Sequence, residues 1–352
     1  GCGIKRDEAN SGSIPAIRYG EIYTAHNDYI KQFQSFISEN VAKEATLLKN
    51  GDLLFSCSGE TKEDIGKCVA FVSNERAYAG GDIIILSPTV PCDSKYIGFL
   101  CNSSFVNKQR YSFAQGDSIV HISSESIGKI EIPFPPLNEQ KKIAAMLSVW
   151  DSAIEKMEKL IEFKESQKKS LIKKLIEKQE EKANKIKVGN VTIDKNKWKH
   201  ERIGNVLKIG HGKDYKGLSL GKVPVFGSGG YMTSVDKFLH DGETVCIGRK
   251  GTIDKPFYYK GKIWTVDTLF YTYDFKNVIP KFIYYVFCSI PWKIKNEAGG
   301  VPSLTSKIVE NVEFYSPSLP EQQIIVDVLS NADDELSLLK QQLENYKKQK
   351  QG

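Results

Sequence analysis

Groups that can neutralise a phosphate or bridge a base edge recur along this sequence, interleaved with aromatic residues and glycines. The second half carries Gly210-His-Gly212-Lys213-Asp-Tyr215-Lys216, Ser228-Gly-Gly-Tyr231 and Gly248-Arg249-Lys250-Gly251-Thr252. The first half carries Ile4-Lys5-Arg6, Arg18-Tyr19, Ser56-Cys-Ser58-Gly59-Glu60-Thr61-Lys62 and Asn107-Lys108-Gln109-Arg110-Tyr111. Arginine and lysine can pair with phosphate oxygens or with guanine O6 and N7, and glycine lets backbone amides approach closely. The candidate DNA-contacting residues are Lys5, Arg18, Tyr19, Ser58 and Lys62 in the first half. In the second they are Lys213, Tyr215, Tyr231, Arg249, Lys250 and Thr252.

The signatures of common reactions are missing. Asp52 with Glu60-Thr-Lys62 has the residue types of a nuclease metal site, but the gap is short and the second half has no equivalent. Gly227-Ser-Gly229-Gly230 is too short for a dinucleotide loop, and there is no Walker lysine loop, HExxH or Gly-x-Ser-x-Gly elbow. The expectation is a chain that holds no metal and neither cleaves nor methylates by itself. Seven cysteines without a CxxC pair point to reduced thiols and a cytoplasmic setting. No apolar run reaches the roughly 18 residues that a membrane span needs. A formal charge of +6 suits nucleic acid without requiring it.

The elements that must position these loops are organised by a repeat. Residues 117–170 align without a gap onto 299–352, and 13 of the 54 pairs are identical. Chance would give far fewer, so the chain reads as a tandem of two units. In the clearest stretch Pro135-Pro-Leu137-Asn-Glu139-Gln140 matches Pro317-Ser-Leu319-Pro-Glu321-Gln322, and Ile14-Pro15-Ala-Ile17 resembles Val223-Pro224-Val-Phe226. After each proline stretch, apolar residues step four and three apart. They are Ile143, Leu147, Trp150, Ile154, Met157 and Ile161 in one copy and Ile325, Leu329, Leu336, Leu339 and Leu343 in the other. That period is a coiled-coil seam, so the two helices are predicted to pack on each other, antiparallel, with Ile143–Ile161 against Ile325–Leu343. Ser318 and Glu321 have the spacing of a capping box. The parts before the helices mix strand-like runs (52–55, 68–72, 82–86; 244–247, 256–259, 268–272) with helical runs near 27–48 and 281–289. Residues 177–197 read as a solvated helix end and linker.

These residues together resemble the specificity subunit of type I restriction–modification enzymes. The carriers are 135–144, Trp150-Asp151-x-x-Ile154-Glu-Lys, Lys164-Glu-Ser-Gln167-Lys-Lys-Ser170, Trp198-Lys-x-x-Arg-Ile-Gly204 and Ile247-Gly-Arg-Lys-Gly251-Thr-Ile. The resemblance implies an α+β fold: two target-recognition domains in tandem, joined by two long antiparallel helices forming a coiled-coil spacer. Its boundaries would be 1–136, 137–187, 188–318 and 319–352. It implies that each domain reads half of a split double-stranded DNA target. Two methyltransferase (modification) subunits and the restriction/translocase subunits would be the partners, and S-adenosylmethionine, ATP and magnesium would sit on them. Against the family pattern, the first unit lacks counterparts of Trp198–Ile209, and the second helix is the shorter. The competing reading is an adaptor whose coiled coil tethers two protein-binding modules.

Overall fold

The computed structural model describes residues 3–59, 61, 64–113, 120–178, 184–296 and 298–351. The chain divides into two compact units, residues 1–156 with 344–352, and residues 157–343.

In the first unit, β1 (Ile14–Ile17) leads into α1 (Tyr19–Thr24), β2 (Ser35–Ile37), α2 (Glu39–Ala42), β3 (Thr46–Leu47), β4 (Leu53–Ser56) and β5 (Ser58–Gly59). There follow β6 (Cys68–Ala70), β7 (Tyr78–Ala79), β8 (Ile83–Leu86), α3 (Ser94–Cys101), α4 (Ser104–Ser112), β9 (Val120–His121) and α5 (Ser124–Gly128). The strands form sheets in the orders β2-β1-β7-β3 and β6-β4-β8, with β5 paired to β9. The helical run expected near 27–48 is instead two short strands, β2 and β3, on either side of the single turn α2, because Ile30 packs into one core cluster and Ile37 and Ala42 into another, so its apolar residues form no single helical stripe. The core gathers Leu53, Phe55, Ile65, Ile97 and Ile127, and the start of α6 (Leu137–Ile176) closes it with Ala144 and half-buried Ile143.

The second unit continues with β10 (Lys185–Val188), β11 (Val191–Asp194), β12 (Lys199–Arg202), α7 (Ile203–Val206), β13 (Lys208–His211), β14 (Leu220–Gly227) and β15 (Gly230–Val235). Next come β16 (His240–Gly248), β17 (Phe257–Thr265), β18 (Leu269–Tyr273), α8 (Pro280–Ser289), α9 (Ser306–Glu310), β19 (Glu313–Ser316) and α10 (Leu319–Gln351). Its main sheet has the order β13-β18-β16-β17-β14-β15. The stretch read as linker is ordered where it is described. β10 and β11 form a hairpin that buries Ile186 and Ile193 in the core, and α6 stops at Ile176. Buried Lys195 caps the helix end, its ammonium donating to the carbonyls of Lys174 (2.7 Å) and Glu177.

Part of the strand frame repeats between the units. β1 and β14 each run parallel to a neighbour, Ile17 beside Ala79 and Phe226 beside Thr265. β4 on β8 matches β16 on β18, Ser56 opposite Ile83 and Gly248 opposite Leu269. Ser123 caps α5 and Thr305, 182 residues on, caps α9.

Both long helices begin the same way. Gln140 and Gln322 are fully buried. Gln140 accepts from the Asp93 amide (2.9 Å) at the head of α3 and donates to the Pro135 carbonyl (2.8 Å). Gln322 accepts from the Ile279 amide (2.8 Å) at the head of α8 and donates to the Pro317 carbonyl (3.0 Å). The Glu321 carboxylate accepts from the Ser318 amide (3.1 Å) and hydroxyl (2.8 Å), closing the first turn of α10.

Within the second unit the helices run antiparallel, with Lys164 paired to Glu335 (2.6 Å) and Lys168 to Asp333. The register differs from the expected seam by about two heptads. Ile325 and Leu329 share their core with Ile172, Leu175 and Ile176, and not with Ile161. Within the first unit, the Trp150 and Tyr346 rings meet edge to face at 5.7 Å, and the Lys350 ammonium lies 2.7 Å from Asp151 and 2.9 Å from Asp28. Ile143 and Ala144 belong to the first domain's own core, and Trp150 and Asp151 meet the end of α10 instead. Leu147, Ile154, Met157, Leu339 and Leu343 are half-buried and Ile161 and Leu336 buried, all on the inward stripe. Among the described residues no helix is long and apolar enough to cross a membrane.

Candidate nucleic-acid interface

In the second unit four loops meet at one end of the β14–β18 sheet. The 214–216, 227–232 and 266–268 loops line an open cleft of about 760 Å³. Tyr215 and Tyr231 stand on its walls beside Lys216. The Tyr231 ring is 63% exposed, held edge-on to Phe226 at 6.0 Å, with its hydroxyl 3.1 Å from Ser234 Oγ. Lys213 is pinned by its backbone, its amide donating to the Thr265 carbonyl (2.8 Å) and its carbonyl accepting from the Trp264 indole (2.9 Å). Its side chain is left exposed.

The Gly248–Thr252 loop joins the cleft at the 267–268 wall. The Arg249 amide donates to the Thr268 carbonyl (2.8 Å), and one guanidinium nitrogen reaches the Asp267 carbonyl (3.3 Å). Lys250 is exposed and Thr252 half-buried. The two bracketing glycines are sterically required. A Cβ on Gly248 would fall 2.0 Å from the Thr252 carbonyl oxygen, and Gly251 sits at φ +83° with its amide on the Pro302 carbonyl (2.8 Å).

The first unit presents the equivalent loops on the same backbone bonds. The Gly80 amide donates to the Ile17 carbonyl (2.9 Å), as Val266 does to Phe226 (3.0 Å). The Cys57 amide donates to the Asp82 carbonyl (3.0 Å) and the Cys57 carbonyl accepts from Ile122 (3.1 Å), as Arg249 does with Thr268 and Leu304. Arg249 therefore has Cys57 as its counterpart, Lys250 has Ser58, and Ser303 has His121. Ser58 Oγ lies 3.1 Å from His121 Nδ1. Burial, with the Asp82 carboxylate nearby, pushes the Cys57 thiol pKa up, so the position offers a thiol and not a thiolate. Half-buried Arg18 and 36% exposed Tyr19 follow β1, where Gly227 and Ser228 follow in the other unit. Lys5 is exposed, its amide on Glu8, and Lys62 lies outside the described residues.

Of the residues singled out in the sequence, Tyr215 and Tyr231 line this cleft, while Lys213, Arg249 and Lys250 lie on the segments that adjoin it through backbone bonds to Thr265 and Thr268. Sequence reasoning passed over Cys57 and His121, which carry no fixed charge; only the strand register exposes their equivalence to Arg249 and Ser303. Among the described residues no group of three His, Cys, Asp or Glu side chains could hold a metal ion.

The family described as type I restriction modification DNA specificity domain matches this chain twice, over residues 2–165 and 169–347. A putative type I restriction enzyme MjaX specificity subunit of Methanocaldococcus jannaschii is 25% identical over 337 residues, covering 89% of this chain and 78% of that one. The MjaVIII specificity subunit of the same organism is 23% identical over 286 residues, covering 70% and 64%. The crystal structure of a type I restriction-modification S subunit from M. genitalium shares the fold. It aligns with a TM-score of 0.63 at 18% identity, covering 99% of this chain and 90% of that one.

Proposed function

Because the chain belongs to the type I restriction modification DNA specificity family, we propose that it reads a two-part DNA target, one part per recognition domain, through the loop clusters around Arg249 and Cys57. The observation that carries this reading is that the frame is constant while the side chains differ. The same two backbone hydrogen bonds hold Arg249 and Cys57. One loop then offers a guanidinium, an ammonium and a hydroxyl, and the other a thiol, a hydroxyl and an imidazole. Arg249 and Lys250 suit guanine O6 and N7 or phosphate, and exposed Tyr231 offers a face for sugar or base. Such loops would read two different half-targets on one scaffold.

In this reading the chain is the non-catalytic recognition subunit of a cytoplasmic complex. Two modification subunits would carry methyl transfer from S-adenosylmethionine, and restriction subunits would use ATP and magnesium. The test is to co-express the chain with the modification subunits of its own system and map the methylated sites by sequencing. The expected result is one bipartite motif, with Arg249→Ala relaxing a position in one part and Ser58→Ala acting only on the other. Methylation that does not depend on this chain, or an Arg249→Ala variant that relaxes both parts equally, would overturn the reading.

A further inference from the structure

Beside the Arg249–Lys250 loop the second domain holds an apolar side chain, Val301, out in solvent, 66% exposed. The segment that carries it is tied to that loop along the main chain. The Gly251 amide donates to the Pro302 carbonyl (2.8 Å) and the Leu304 amide to the Arg249 carbonyl (2.9 Å). Lys250 lies opposite Ser303 in an antiparallel bridge. The segment is also anchored on both sides. Before it, Trp292 is 1% exposed with its indole donating to the Phe287 carbonyl (2.8 Å), and after it Leu304 is 2% exposed. The Asn296 side-chain oxygen accepts from the Ala298 (3.1 Å) and Ser303 (2.9 Å) amides, and its nitrogen donates to the Ala298 carbonyl (3.0 Å). A single exposed valine is ordinary on a protein surface. Here its backbone is fixed beside a guanidinium and an ammonium.

Gly299 and Gly300, which precede Val301, differ from Gly248 and Gly251. A Cβ on either would meet no atom within 4 Å, and neither residue lies in the left-handed region. Nothing inside the protein therefore requires glycine at these two positions. Both are exposed, and the room they leave is outside the chain. Bare backbone of this kind lets a bound molecule come close, and main-chain amides are among the groups that contact nucleic-acid phosphates.

We propose that Val301 is a further specificity-determining residue, which reads a thymine by packing against its C5-methyl group. The inference rests on the recognition proposed above for the Arg249 loop. The thymine methyl lies in the major groove, on the same edge as guanine O6 and N7. One docking therefore serves a guanidinium and a valine at nearby base pairs. The valine side chain neither donates nor accepts a hydrogen bond, so it has nothing to offer the polar edges of guanine, cytosine or adenine. Contact there selects a pair that carries thymine.

The test uses the chain assembled with the modification subunits of its own system, on duplexes carrying the motif mapped by methylation. Each thymine of the motif is replaced in turn by uracil, which lacks only the C5-methyl group. At one thymine, in the part that Arg249→Ala relaxes, uracil is expected to weaken equilibrium binding about 4-fold, the contribution of one buried methyl group. Val301→Ser should bind the thymine duplex more weakly by the same factor and lose the discrimination, and Val301→Ile should keep it. The side chain is exposed, so neither variant threatens the fold. Uracil tolerated at every thymine of that part, a part without thymine, or a loss undiminished in Val301→Ser overturns the inference and leaves the recognition reading standing. Methylation that does not depend on this chain overturns both.

Discussion

At the level of single residues, Gln140 and Gln322 show why the proline–Glu–Gln signature recurs. Each places one side-chain amide between the proline carbonyl that precedes a long helix and the first amide of a helix in its recognition domain. Gln322→Leu strands both backbone groups, and each buried orphan costs about 1–3 kcal/mol. Urea unfolding is expected to show a loss of about 2–4 kcal/mol for that variant, and near zero for Gln323→Leu on the exposed face. His26 gives a pH dependence. It is 4% exposed, and burial, assisted by the Lys67 charge, lowers its pKa from 6.5 to about 4. The folded state thus keeps His26 neutral where the unfolded chain takes up a proton. Its contribution is fully present above pH 6.5 and is lost as pH falls towards 4, by about 2–3 kcal/mol. His26→Gln is expected to flatten the stability profile between pH 6.5 and 4. An unchanged slope would mean that other groups titrate there. The repeat marked the two glutamines but not their burial, and His26 carried no mark at all, because a polar side chain shows no sign of burial until the chain has folded round it.

The two long helices are locked by a pair of related contacts. Asp151 and Asp333 stand 182 residues apart, as do Lys168 and Lys350. In the second unit Lys168 meets Asp333, which also accepts from the Tyr285 hydroxyl (2.7 Å). In the first unit Lys350 meets Asp151. Burial opposes charge on Lys350, yet Asp28 and Asp151 hold its ammonium pKa above the usual lysine value. Antiparallel pairing brings these contacts about, since it sets the late lysine of one repeat on the early aspartate of the other. Asp333→Lys places two ammonium groups together and is expected to cost about 2–4 kcal/mol in urea unfolding, and adding Lys168→Asp should restore at least about half of it. No recovery in the double variant would mean that the pair does not set the register. The heptads made both helices legible, but their register was not. A heptad seam can slide by whole heptads at little cost, and the position is chosen by ion pairs and by where the first turns of α6 are already packed.

For the molecule as a whole, the question is whether two domains on one frame act separately. If Arg249 touches a base, Arg249→Ala in the assembled complex should cost about 1–3 kcal/mol of affinity and relax one position of one half-target. If it touches phosphate, affinity should fall alike for all sequences, and the salt dependence should flatten by about one unit. Equilibrium binding to the mapped motif and to variants of each half, at several salt concentrations, separates the two outcomes. Unchanged affinity, specificity and salt slope would remove Arg249 from the interface.

What the sequence determined by itself was whatever repeats or alternates along the chain: two units, two heptad helices, their proline–Glu–Gln starts, and glycine-bracketed basic loops. Those signals are local, because a helix stripe or a tight turn is set by residues a few positions apart. Tertiary structure decided what depends on distant partners. Strand register made Cys57 the counterpart of Arg249 and brought His121 to Ser58. The hairpin at 185–194 became part of a core because Ile186 and Ile193 joined the apolar cluster that also holds Ile172, Leu175 and Ile176 of α6. Lys195, an ordinary charged residue in the sequence, became a helix cap because the fold buried it beneath the last carbonyls of α6.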